Sequence, residues 1–164
     1  MSEAEKGRII VIDDDEGIRK VLAAALESEK YVVDTASNGK QAIEKSQTNF
    51  YNLALVDVRL PDMEGTKLLT AMKETTPEMR KVILTGYPGL QNAMDAVNNG
   101  AHAYLVKPVD MNEMLRTVED QLKKQREMKE YGQEKVARFV ETRFQELQTQ
   151  EPHSRTNDRE TNRA

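Results

Sequence analysis

The chain has 164 residues, no cysteine and a formal net charge of −4. That length accommodates one ordinary domain with a self-sufficient core plus an appendage. The lack of Cys excludes disulfides, thiolate chemistry and Cys-ligated metals, and it fits a reducing, cytoplasmic setting. The longest apolar runs, Ile9–Ile12 and Leu53–Val56, fall far short of the ~20 residues that span a bilayer. The first residues carry acids and no apolar stretch, so neither a signal peptide nor membrane insertion is expected. Residues 1–120 hold 14 Lys+Arg against 20 Asp+Glu, and residues 121–164 hold 10 against 8. An acidic body speaks against a nucleic-acid surface and suits a site that collects cations.

In chain order, apolar runs alternate with helical patterns. The runs are Arg8–Ile12, Tyr31–Thr35, Asn52–Val56, Lys81–Leu84 and Ala103–Val106. They are nearly continuous, as parallel strands buried on both faces are. Between the first two, Glu16–Ser28 places Ile18, Val21, Leu22, Ala25 and Leu26 on one helical face. Asn38–Ser46 predicts a short helix with Ala42 and Ile43 inward. Gly65–Glu74 carries Leu68, Leu69 and Met72. Leu90–Asn99 carries Ala93, Met94 and Val97 and stops at Asn99-Gly100. Asp110, three residues before Glu113, is a candidate N-cap for a last helix with Met114, Leu115, Val118 and Leu122 inward. Five β-α repeats imply one parallel sheet with helices on both faces, an α/β doubly wound fold.

After Leu122 the pattern changes. Lys123–Glu130 is almost wholly charged, and Gly132 interrupts the helical pattern. A second stripe follows: Val136, Phe139, Val140, Phe144 and Leu147. From 151 on there is no apolar period, which predicts disorder. The expected organisation is a domain over 1–122, a helical extension over 123–150 and a disordered tail over 151–164. A face such as Phe139–Leu147 stabilises a short helix only by docking on something, against the alternative of a solvated tail. About thirty residues cannot build a helix-turn-helix, so no DNA-binding output is visible.

In open α/β sheets, ligands bind beyond the carboxyl ends of the strands. There the chain sets Asp13-Asp14-Asp15 after the first strand, Asp57 after the third, Thr85-Gly86 after the fourth and Lys107-Pro108 after the fifth. Each has a bland reading: acids capping a helix, a turn residue, a strand end, a solvated lysine. Their joint placement at one sheet edge is harder to assign to chance. Clustered carboxylates with no His or Cys nearby suit a hard cation such as Mg²⁺. Lys and Thr suit phosphoryl oxygens, and an aspartate can serve as the phosphoryl nucleophile.

These segments resemble the receiver domain of two-component response regulators: Ile-Val-Ile-Asp13-Asp14-Asp15-Glu16-Gly17-Ile18-Arg19, Leu-Val-Asp57-Val-Arg59-Leu-Pro61-Asp-Met-Glu-Gly65, Leu-Thr85-Gly86 and Tyr104-Leu-Val-Lys107-Pro108. The resemblance runs from about Gly7 to Leu122 and suggests a stand-alone receiver with a short helical extension. It implies a flavodoxin-like sheet of order 2-1-3-4-5 with the last helix extended. It implies Asp57 as the phosphoacceptor for a sensor histidine kinase. Mg²⁺ would be held by Asp14, Asp57 and the Arg59 backbone carbonyl, with Asp13 acting through metal-bound water. Asp15 would cap a helix, Lys107 would pair with the carboxylate and then the phosphoryl group, and Thr85 and Tyr104 would switch together. Phosphorylation would alter the surface of helix four, strand five and helix five. A homodimer through that face or through the C-terminal helix, and an unspecified downstream protein, are the implied partners. It also implies a cis Lys107-Pro108 bond. The positions two beyond Asp57 and Thr85 are Arg59 and Tyr87, bulky groups expected to slow self-hydrolysis.

Other motifs are weaker. Asn38-Gly39-Lys40 lacks the flanking Gly and Ser/Thr of a P-loop. His102 and His153 have no sequence neighbour that makes them catalytic. A haloacid-dehalogenase-like phosphohydrolase would want an acid at position 59, where Arg stands. A pseudo-receiver scaffold would lack Asp57 or Lys107, and both are present.

Overall fold

The computed structural model describes residues 6–75, 79–87 and 89–161. Five strands and five helices alternate: β1 (Arg8–Ile12), α1 (Glu16–Ser28), β2 (Val32–Ala36), α2 (Gly39–Thr48), β3 (Leu53–Asp57), α3 (Gly65–Thr75), β4 (Arg80–Thr85), α4 (Leu90–Asn98), β5 (Ala103–Val106) and α5 (Met111–Thr161). The strands form one parallel sheet in the order β2-β1-β3-β4-β5. The doubly wound reading therefore holds, and the predicted strand bounds differ from these by a residue or so.

Strand periodicity divides the core in two. Ile10, Ile12, Ala54 and Val56 face one side, where Ala42 of α2, Leu68, Leu69 and Met72 of α3 and Ala96 of α4 cover them. Ile9, Val11, Leu53 and Leu55 face the other, under Leu22 and Leu26 of α1 and Met114, Val118 and Leu122 of α5. Every residue of β3 is buried, which explains its continuous apolar run. The caps fall where side-chain acceptors stand. Asp15, Asn38 and Asp110 accept from the amides of Ile18, Gln41 and Glu113 at 3.0, 2.8 and 3.0 Å.

Three expectations are corrected. Val21 is 55% exposed, and Met94 and Val97 are 49% and 61% exposed. The buried residue of α4 is instead Ala96, which lies between Met94 and Val97 in the chain but on a different side of the helix. A narrow helix stripe cannot tell which part of it meets the sheet when small residues suffice for contact. Gly132 does not interrupt α5, because one glycine inside a helix costs only about 1 kcal/mol against alanine.

Residues 1–125 form one compact unit and residues 126–164 a second. In the second, α5 continues to Thr161 and so includes residues 151–161, where disorder is expected from the sequence; residues 162–164 of that tail lie outside the described residues. Loss of the apolar period there removes a face to bury without forbidding helical backbone. The described side chains of this unit are solvated. Met128, Val136, Phe139, Val140, Phe144 and Leu147 are all exposed, beside exposed ion pairs Glu134–Arg138 and Arg143–Glu146.

Candidate functional site

The carboxyl ends of β1, β3, β4 and β5 meet at one edge of the sheet. β1 delivers Asp13, fully buried, and Asp14, exposed. β3 ends on Asp57, 6% exposed. Carboxylate oxygens of Asp13, Asp14 and Asp57 lie within 4.8 Å of one another, close enough to share one cation. An all-oxygen donor set with no imidazole or thiolate fits a hard divalent ion such as Mg²⁺. Asp15 is turned away into its cap on α1.

Lys107 is the counter-charge. Its Nζ lies 2.9 Å from Asp13 Oδ2 and 3.3 Å from Asp57 Oδ2. Its backbone is anchored to β4, where Lys107 N donates to Thr85 O at 2.7 Å. The Lys107-Pro108 bond is cis, as expected. Asp57 Oδ1 accepts from the Arg59 amide at 3.1 Å. Burial pushes the Asp57 carboxyl above its ordinary range; the Asp13 charge adds to this, and the Arg59 amide and Lys107 oppose it. Burial alone would lower Lys107. The hydrogen bond and charge of Asp13, then those of Asp57, outweigh it and hold the ammonium above its usual range. One lysine thus pairs with two of the three clustered carboxylates.

The remaining expected residues are near but not engaged. Thr85 is buried, and its Oγ1 accepts from the Tyr87 amide at 3.1 Å rather than contacting Asp57. Tyr104 is 43% exposed, one strand over and paired in register with Ile83. Both line a small cavity with Val58, Ala93 and Ala96. Arg59 stacks over the Tyr87 ring at 4.3 Å, so the two residues expected to flank the site are in contact with each other.

Two contributors escape the sequence reading. Arg19 Nη1 donates to the Asp13 carbonyl at 2.7 Å and braces the acidic turn from α1. Gly65 is required by sterics, because a Cβ there would sit 2.3 Å from the Asp57 carbonyl oxygen. The first depends on a contact across a turn; the second has a signal, a glycine opening a helix eight residues after an acid.

The response regulator receiver domain family matches residues 9–119. The chain belongs to that family. Its receiver domain is similar to the amino-acid sequence of transcriptional regulatory protein ZraR of Escherichia coli K12, 35% identical over 70% of this chain and 26% of that protein. It is also similar to the DNA-binding transcriptional regulator NtrC of Proteus hauseri, 33% identical over 77% of this chain and 27% of NtrC. The chain thus spans about a quarter of the length of these relatives. Among solved structures, a CheY-like receiver from Methanospirillum hungatei is 39% identical with a TM-score of 0.71, over 74% of this chain and 97% of its own. The beryllofluoride-activated NtrC4 receiver dimer is 31% identical with a TM-score of 0.69, over 72% of this chain and 98% of its own. A receiver domain of a two-component system is a signalling phosphoacceptor rather than a classical enzyme, and the acidic triad of this one is in the right place for that role. Among the described residues, no helix is long and apolar enough to cross a membrane.

Proposed function

We propose that this receiver accepts a phosphoryl group on Asp57 from a sensor histidine kinase and passes the signal through the face built from α4, β5 and α5. The observation that carries the reading is Lys107 Nζ lying between Asp13 and Asp57 with Asp14 in the same cluster. Mg²⁺ would be held by Asp14, Asp57 and the Arg59 carbonyl, with Asp13 acting through bound water; it would neutralise phosphoryl charge. Asp57 Oδ attacks phosphorus, the bond from phosphorus to the donor breaks, and an acyl phosphate forms. Lys107 then has a phosphoryl oxygen as partner beside Asp13. Thr85 exchanges its Tyr87 amide contact for the phosphoryl oxygen, and Tyr104 turns into the cavity beside Thr85 and Ala96. The added charge, about −1.5 to −2, drives that change.

The kinase must bring an imidazole to Asp57. Beside Lys107 an apolar groove of about 420 Å³ runs between α1 and the β5–α5 loop, lined by Ile18, Val21, Leu22, Pro108 and Met111. A helical kinase surface seated there would explain why Val21 is exposed. On the other flank, Met94, Val97, Tyr104 and Val106 are exposed, a patch suited to a second copy or a downstream protein. The dimeric NtrC4 receiver supports the second copy. Residues 123–150 would act as an interaction helix beyond the 1–122 receiver; the exposed Phe139–Leu147 face supports this.

The test is incubation with acetyl phosphate and Mg²⁺ followed by intact mass. One phosphoryl adduct is expected on the parent and none on Asp57→Asn. An adduct of normal yield on Asp57→Asn would overturn the assignment.

A further inference from the structure

Asp62 takes no part in the phosphoryl chemistry above, and its sequence neighbourhood reads as a plain turn. Its contacts are not those of a plain turn. Its carboxylate spans two amides of another element: Oδ1 accepts from Gly39 N and Oδ2 from Lys40 N, both at 2.9 Å. The first turn of a helix has amides with no partner inside the helix. In α2 the local cap Asn38 satisfies only Gln41 N. Asp62, more than twenty residues away, satisfies the two that precede it. These bonds hold its carboxyl below the usual range.

The next residue makes a second anchor. A Cβ on Gly39 would lie 2.5 Å from Met63 Sδ, so Met63 occupies the space a side chain at 39 would take. Met63 also packs against the core cluster under α2 and α3. The base of the same loop is closed by Gly65 N on Val58 O at 2.7 Å, by Leu60 N on Met63 O at 3.2 Å and by the Arg59–Glu64 bridge. The loop is therefore fastened at its base to β3 and at its tip to α2. Arg59, whose amide holds Asp57 Oδ1, belongs to the base, three residues before the Asp62 tip.

We propose that Asp62 is a positioning residue for the cation site: by clamping the β3–α3 loop to the N-terminus of α2 it holds the Arg59 backbone in place for metal. The inference rests on reading Asp13, Asp14 and Asp57 as a Mg²⁺ site. Gly39 is its counterpart, since only a residue without a side chain lets Met63 seat beside the clamp.

A merely structural cap would lower stability by the same amount with or without metal. A positioning residue changes how much metal stabilises the fold. The experiment is calorimetric Mg²⁺ titration and thermal unfolding, with and without saturating Mg²⁺, for the parent, Asp62→Ala, Asp62→Asn and Gly39→Ala. The expected result is a Mg²⁺ dissociation constant raised about tenfold by Asp62→Ala, as for other groups that orient ligands. Asp62→Asn, which keeps one acceptor oxygen, falls between. Gly39→Ala, which displaces Met63 but leaves Asp62, also weakens Mg²⁺, and it carries the test if Asp62→Ala does not fold. Mg²⁺ affinities within twofold of the parent in all folded variants, with midpoints lowered equally in both conditions, would overturn the proposal. A parent chain that binds no Mg²⁺ would overturn the metal reading itself, and this inference with it.

Discussion

The two edges of the sheet handle charge in opposite ways. At the amino edge, Arg8 pairs with Asp34 at 3.3 Å, Tyr51 donates to the same carboxylate at 2.6 Å, and Arg80 donates to buried Gln121 at 2.7 Å. These groups are paired, although Arg8 Nε is buried without a hydrogen-bond partner, and burial together with Asp34 pushes the Tyr51 phenol upward. At the carboxyl edge, three carboxylates cluster, and one lysine pairs with two of them. One edge is arranged for stability; the other holds an excess of like charge that a cation or phosphoryl transfer can use. That contrast predicts opposite signs for similar substitutions.

The largest effect belongs to the amino edge. Tyr51→Phe removes a buried hydrogen bond to a charged acceptor and is expected to cost about 2 kcal/mol in denaturant unfolding, independent of Mg²⁺. Equal stability to the parent would mean that this edge is not the stabilising one.

At the carboxyl edge the expected change is kinetic. Arg59, two residues beyond Asp57, stacks on Tyr87, two beyond Thr85, and this bulky pair is expected to slow the approach of water. Replacing both with Ala should speed decay of the phosphorylated form by roughly fivefold, equivalent to about 1 kcal/mol of barrier. Decay at the parental rate, followed by intact mass, would show that the stack does not govern the lifetime.

Much of this was legible beforehand because it is written in local pattern. Buried parallel strands are continuous apolar runs, and the acids, Thr85 and Lys107 each follow one directly. What the chain does not display locally is which apolar residues face the sheet. Met94 and Val97 have the spacing of core residues, yet Ala96 makes the contact. Periodicity marks an apolar face but not what covers it. The Asp62 clamp is hidden for a different reason: its acceptors and donors are separated by more than twenty residues.

The smallest effect is a pH slope. The folded-state pKa of Asp57 is raised, so protonation favours the folded form. Its contribution is fully present below the unfolded value and is lost as pH rises through the folded one. Without metal, the stability difference between Asp57→Asn and the parent should therefore widen in favour of the variant from acid to neutral pH. A constant difference in urea midpoint across that range would show that Asp57 is not held in an unfavourable field.

The acid excess at the carboxyl edge is suited to hold a cation. Thermal unfolding of the parent and Asp14→Asn, each with and without Mg²⁺, tests it most directly. The two proteins are expected to cross. Without Mg²⁺ the variant unfolds at the higher temperature, because one of three repelling charges is gone. With Mg²⁺ the parent gains the more and overtakes it, because only the parent keeps the full oxygen set. A variant that unfolds lower without metal, or two proteins that Mg²⁺ raises equally, would contradict it.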